Sequence, residues 1–457
     1  MSGRHRFIGP IVALAIAAAL SLPGMAHALE VKRVKLDNGM IVLISPQHNL
    51  PMVTAALAFD AGARRDPKGK EGLARLTADS IMEGTRTMSA EELNRKVDFL
   101  GSAMDVGAGS DYATASFTSL KRYWRDTLKL LAGVLTQPGL RDDDIARKQA
   151  EQIAAIKAAE EEPGYVAQTT FLKQVFGDGS PYGHLPDGTV DTVQQLSAQD
   201  VRNFYHEFYR PEGTVAAVAG DIEPDEVIKA LREELAPLKG AVAPQRPQPL
   251  APIGPGAHVT AINRDVAQAN IILGFGGIAR SNPDYYKLQV MNYILGGGGF
   301  ASRLMKEVRS KAGLVYSIAS FFQAALFPGS FQVVLETKNK SANEAIAMVL
   351  AQMRRIQESP VSDAEIESAK KFLIGSFPLK LDTQNSIVQF LLQVQIYGLG
   401  LDYIDKYPGY IRAVTKEDVQ KVAREYLHPD SYILVAVANQ SEAGIKVANG
   451  APPSAKQ

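Results

Sequence analysis

Any chemistry in this chain has to be done without thiols. No cysteine occurs among its 457 residues, which excludes disulfides, thiolate metal sites, iron–sulfur clusters and cysteine nucleophiles. Past residue 28 the histidines are His48, His184, His206, His258 and His428, and the closest two lie 22 residues apart. No H-x-x-E-H, H-x-H or H-x-x-x-H is present, so no helix offers zinc two imidazoles on one face. His206-Glu207 begins like such a motif, but Arg210 stands where the second imidazole belongs. There is no G-x-S-x-G nucleophile elbow and no phosphate-binding G-x-x-x-x-G-K-[ST] loop. One pair of donors remains. In Arg309-Ser-Lys-Ala-Gly-Leu-Val-Tyr316 the arginine closes a helical stretch, Gly313 suits a left-handed C-cap, and Leu314 opens a strand. A guanidinium and a phenol on two sides of one turn could converge on a peptide carbonyl. Arg309 could equally serve the helix dipole, and Tyr316 a strand's core. Gly296 to Gly299 reads as a turn between helices, or as a loop whose bare backbone meets an extended peptide.

These residues need elements to hold them, and the elements are written twice. Phe59, Ala63-Arg64 and Pro67 recur as Phe275, Ala279-Arg280 and Pro283, each 216 positions on. Asp200-Val201 and Pro211 recur as Asp418-Val419 and Pro429, each 218 positions on. Two matches in one order at nearly one spacing mark a duplicated unit. In the first unit Asp37-Asn38-Gly39 signals a hairpin between strands at 34–36 and 41–44. A strand at 55–59, helices at 73–82 and 90–100, a strand at 113–120, helices at 123–135 and 143–161, and a strand at 214–219 follow. Ser89 with Glu92 reads as a capping box, and Leu93, Val97 and Leu100 form one apolar face. The second unit runs similarly, with strands at 270–275, 314–322, 330–336 and 432–438 and helices at 284–295 and 301–311. The fold class is therefore α+β: two homologous α/β sandwiches, each with its helices on one side of a sheet.

Composition sets the outer limits. Lys+Arg and Asp+Glu both number 49, so no basic field exists to hold nucleic acid. Arg4, His5 and Arg6, the apolar residues 11–20 and Ala26-His27-Ala28 read as a cleavable secretory signal. The expectation is a periplasmic or otherwise secreted protein, with no membrane insertion once the signal is removed. Six prolines fall between 237 and 255, a composition that favours an extended linker. The expected layout is a signal at 1–28, a first domain at 29–236, a Pro-rich linker at 237–257, a second domain at 258–440 and a disordered tail at 441–457.

Two similar halves, the linker and a set of local motifs together resemble the insulinase/pitrilysin family of zinc peptidases (inverzincins). The motifs are Leu36-Asp-Asn-Gly-Met, Phe59-Asp-Ala-Gly-Ala-Arg-Arg-Asp-Pro, the stretch from Gly72 to Thr85, Ser180-Pro-Tyr-Gly-His, Phe208-Tyr-Arg-Pro, and Ser302 to Tyr316. The family carries H-x-x-E-H in the stretch that matches Gly72 to Thr85. Aligned on it, Arg75 falls at the first His, Ala78 at the general-base Glu and Asp79 at the second His. The third ligand, a Glu on a later helix, falls at Ala154-Ala155, with Glu151 one turn away. A guanidinium ~4 Å from a divalent ion at an effective dielectric of ~20 repels it by about 8 kcal/mol. Zinc needs three ligands and an open position, so the resemblance implies no metal and no cofactor in this chain. As an i, i+4 pair, Arg75 and Asp79 should bond to each other.

Arg309 and Tyr316 keep the family's R-x-x-x-G-L-x-Y spacing, which the resemblance assigns to holding substrate. The implied function is a non-catalytic, substrate-positioning subunit of a heterodimeric extracytoplasmic zinc metallopeptidase. Its partners would be a zinc-bearing family paralogue, which supplies the zinc, and a peptide or unfolded protein. The alternatives are a structural scaffold, or a peptide-binding homodimer of the same fold without proteolytic role.

Overall fold

The computed structural model describes residues 29–177, 180–246, 250 and 253–445. The secretory signal expected at 1–28 lies outside them. Among the described residues no helix is long and apolar enough to cross a membrane.

The first half is built on a six-stranded mixed sheet. Its strands are β1 (Lys32–Lys35), β2 (Ile41–Pro46), β3 (Met52–Phe59), β4 (Ala103–Ala108), β5 (Ala113–Leu120) and β6 (Val215–Gly220), in the order β1-β2-β6-β3-β5-β4. The β1–β2 hairpin forms where Asp-Asn-Gly marks it, with Gly39 at φ +90°, a value that suits glycine. The second half carries β7 (Gly256–Asn263), β8 (Gln268–Gly276), β9 (Val315–Phe322), β10 (Ser330–Lys338) and β11 (Ser431–Ala438), ordered β7-β11-β8-β10-β9. In both sheets the only parallel pair between these strands is the one equivalent pair, β2 with β6 and β7 with β11. The duplication in sequence is thus a duplication in topology, with β1 added to the first copy.

The first half's helices include α1 (Leu73–Ile81), α2 (Ala90–Phe99), α3 (Trp124–Thr136) and α4 (Asp142–Glu160), of which α1 and α4 form the site. α2 has the expected capping box, Ser89 accepting from the Glu92 N–H and Glu92 from the Ser89 N–H. α1 starts at Gly72 without a side-chain cap of its own. The Asp66 carboxylate does that work, accepting from the Gly72 N–H at 2.8 Å and the Ala74 N–H at 2.7 Å.

The far face of each sheet is covered by the other half. α5 (Pro163–Phe176), from the first half, lays Ala167, Phe171, Leu172 and Val175 on Ile272, Ile433, Val435 and Val437 of the second sheet. Gly274 leaves room for the Phe171 ring, since a Cβ there would stand 2.8 Å from its Cζ. A helix of the second half, α6 (Gln384–Ile396), packs in return on β3 and β6. That explains why β6, Val-Ala-Ala-Val-Ala-Gly, is buried on both faces. Small side chains let a helix approach a sheet closely, and the alanines supply them. The sandwiches are therefore covered on both sides, where one side was expected. A latch adds to this. Tyr182 donates to Asp111, which accepts the Leu326 N–H at 3.1 Å, while the Tyr182 oxygen accepts the Phe327 N–H at 3.2 Å.

Two expectations need correction. The helices placed at 284–295 and 301–311 are interrupted. An α-helix at Tyr285–Asn292 runs into a π turn at Tyr293–Gly297, then a 3-10 turn at Gly299–Ala301 and a second π stretch at Met305–Lys311. The cause is close packing on β9: a Cβ on Gly296 would stand 2.4 Å from Ser320 Oγ, and Asn292 exchanges two hydrogen bonds with Ser320. The tail expected from 441 is helical at Gln440–Ala443, because Ala443 and Ile445 bury against the second core. Residues 446–457 lie outside the described set.

Candidate functional site

The positions aligned with the family's metal ligands do come together. α1 and α4 lie side by side, with β4 at the end of its sheet beside them. Between them opens a cavity of about 370 Å³ lined by Arg75, Asp79 and Ala155. Ala78 does not line it and is fully buried in the first core. The cavity wall holds Ala155 and not Ala154.

The occupants of that wall are wrong for zinc. Arg75 Nε donates to Asp79 Oδ2 at 2.8 Å, the expected i, i+4 pair, and Nη1 reaches Asp187 Oδ1 at 3.4 Å. The hydrogen bond to Asp79 raises the Arg75 guanidinium above its ordinary range, against the cost of burial. Burial pushes the Asp79 carboxyl up, and the Arg75 bond only partly opposes it. Glu151, the substitute ligand a slipped alignment would offer, is already taken. It accepts from Lys148 at 2.9 Å and Arg147 at 2.8 Å, and the Lys148 bond holds it below the usual carboxylate range. Among the described residues no three His, Asp or Glu side chains group as metal ligands. The donor set at this cavity does not fit zinc.

Four further polar residues line the cavity without having been read from the sequence as site residues: Asp105 on β4, Lys148 and Gln152 on α4, and Asp187 from the loop after α5. Lys148, Glu151, Gln152 and Ala155 follow i, i+3, i+4, i+7 spacing, the one signal that placed them on a common face. Nothing in the sequence ties Asp105 or Asp187 to that face.

The second pair stands in the other half. Arg309 lies in the π stretch Met305–Lys311, Gly313 takes φ +66° as the sequence required, and Tyr316 follows on β9, the edge strand. Tyr316 is 47% exposed, so it is not a core residue, and its hydroxyl bonds to no described group. Two neighbouring cations are paired with carboxylates. Arg303 holds Glu365 by two bonds of 2.6 and 3.0 Å, and Lys311 holds Glu307 at 2.9 Å. Arg309 has no carboxylate partner among the described residues. Its guanidinium sits 5.5 Å from the centre of the Phe300 ring, itself 72% exposed. A free guanidinium and a free phenol flank the Gly313 turn, on a surface open to a ligand.

Residues 41–181 match the model of insulinase (peptidase family M16), and residues 195–373 that of the peptidase M16 inactive domain. A protein of Streptomyces coelicolor described as an uncharacterized zinc protease is 27% identical over 422 residues, 91% of each chain. A non-peptidase homolog of Helicobacter pylori is 24% identical over 433 residues, covering 94% of this chain and 98% of its own. Among solved structures, the peptidase M16 inactive domain from Pseudomonas fluorescens superposes with a TM-score of 0.83 at 28% identity, over 90% of this chain and 98% of that one.

Proposed function

The chain belongs to the insulinase (M16) peptidase family, with residues that do not fit zinc at its metal-ligand positions, and from that premise we propose that it is no peptidase by itself but the substrate-positioning subunit of a heterodimeric extracytoplasmic zinc metallopeptidase. The observation that carries the reading is selective loss. Metal-ligand positions are filled by Arg75, Asp79 and Ala155, and the general-base position by Ala78. Arg309 and Tyr316 persist, and their side chains form no hydrogen bond or ion pair among the described residues. In this reading Arg309 and Tyr316 donate hydrogen bonds to backbone carbonyls of an extended peptide, while a zinc-bearing paralogue supplies metal, base and water. Positioning of this kind lowers the barrier by holding the scissile bond where the nucleophile can reach it.

The test is reconstitution. A zinc-bearing paralogue is assayed on an unfolded protein alone, with this chain, and with its Arg309→Ala variant. The expected result is that this chain raises kcat/KM and that Arg309→Ala removes about tenfold or more of the gain. Equal cleavage with and without this chain overturns the reading, as does full activity of Arg309→Ala. Recovery of the chain from the periplasmic or secreted fraction, shortened by 28 residues, tests the location.

A further inference from the structure

The cavity that lost its metal ligands has the makings of another site. We propose that it receives the ammonium or guanidinium head of a lysine or arginine side chain in a bound peptide. Four carboxylates line it (Asp79, Asp105, Glu151, Asp187) against two cations, Arg75 and Lys148, leaving two negative charges. The pairing shows where that excess resides. Lys148 and Arg147 share Glu83 and Glu151, a neutral quartet. Arg75 is shared between Asp79 and Asp187, which leaves one charge. Asp105 forms no ion pair among the described residues, which leaves the second.

Gln152 supplies an independent observation. It is only 7% exposed and lines the cavity. Its Nε2 donates to the Gly72 carbonyl at 3.1 Å and the Asp187 carbonyl at 2.8 Å, but its Oε1 has no donor. A buried acceptor left without a donor is costly, and the N–H of an entering cation would satisfy it. Met82, Val106 and Ala155 give the same cavity an apolar wall, along which the methylene stem of lysine or arginine can lie while its head meets the acids. An anion fits worse. The one guanidinium there is already held by two carboxylates, and an incoming acid would face Asp105 and Asp187. A peptide's α-amino group carries the charge but no stem for the wall.

Calorimetric titration of the purified chain tests this with acetylated, amidated Ala-Ala-Lys-Ala-Ala, its arginine analogue, and a norleucine analogue that keeps the stem without the charge. The lysine and arginine peptides should bind about tenfold or more tighter than the norleucine peptide. Added salt should weaken that preference. Asp105→Asn, on an exposed side chain, should reduce it, and Gln152→Glu should strengthen it. Equal binding of the norleucine peptide, no binding of either cationic peptide, or no effect of Asp105→Asn overturns the proposal. A norleucine peptide with a free amino terminus that binds as well as the lysine peptide overturns the side-chain assignment. The site lies in the other half from Arg309, which is proposed to hold the backbone that all these peptides share, so Arg309→Ala should change their binding alike and leave the preference for lysine over norleucine unaltered. Failure here therefore leaves the proposed function standing, and the reverse also holds.

Discussion

Arg75 bridges two segments across the cavity. Its guanidinium joins Asp79 on α1 to Asp187 from a loop 112 residues on, so two segments stay tied without an ion. The bond is half-exposed and contributes only about 0–1 kcal/mol, so the packing of α1 on α4, and not this pair, holds the cavity open. The combined variant Arg75→His, Asp79→His and Ala155→Glu should then take up zinc, about one ion per chain, because all three positions line one cavity. Metal analysis after dialysis checks it, and the variant should still cut no peptide while residue 78 is alanine. A second residue-scale prediction concerns Glu365. Burial opposes its ionisation, but hydrogen bonds from Arg303 and the Ser362 N–H outweigh burial and hold it at about 2. A carboxyl depressed on folding adds stability above its unfolded value of ~4.3, lost as the pH falls toward 2. Glu365→Gln should therefore lower Tm at pH 7, and the gap from wild type should shrink steadily below pH ~4. At this scale the i, i+4 partnership of Arg75 with Asp79 and the freedom of Gly313 were legible, because both depend on neighbours in sequence. Asp105, Asp187 and the orphaned Oε1 of Gln152 were not. Their meaning arises only when a strand, a loop and a helix meet.

Elements that depend on their own residues were read well. The alternation of 113–120 gives β5, the Ser89–Glu92 box gives α2, and Asp-Asn-Gly gives the first hairpin. Elements defined by a neighbour were not. β4 (Ala-Met-Asp-Val-Gly-Ala) carries no strong strand pattern and exists because β5 pairs with it, and β7 likewise forms along β11. The π turns on either side of the glycine run could not be read either, since helical spacing alone does not reveal that Ser320 presses on Gly296. This contact positions the segment that carries Arg309. Gly296→Ala should cost roughly 1–3 kcal/mol in urea unfolding by overpacking. It should also weaken, in the reconstituted assay, whatever Arg309 contributes, without touching Arg309 itself.

For the molecule as a whole, duplication was visible from the spacing of 216–218 residues, but reciprocity was not. An apolar helix face does not say which sheet it will cover, so α5 and α6 gave no sign of crossing over. Phe171→Ala removes the largest side chain of the first exchange and should cost roughly 3–5 kcal/mol, seen as a single shifted unfolding transition and not as selective melting of either half. Residues 29–236 expressed alone should fail to fold, since α5 would expose Phe171 and Val175 and β6 would lose its cover. Coexpressed with 237–457, the two pieces should copurify as one folded complex. A folded, monomeric first half by circular dichroism and gel filtration would contradict this.

The exchanged helices also decide how such a molecule breaks. Two beads on a tether, stretched from their ends, rip one after the other. Here withdrawing either crossed helix strips the sheet it was lying on, so a stretched molecule should give way in one large event, with no resting point at half its length.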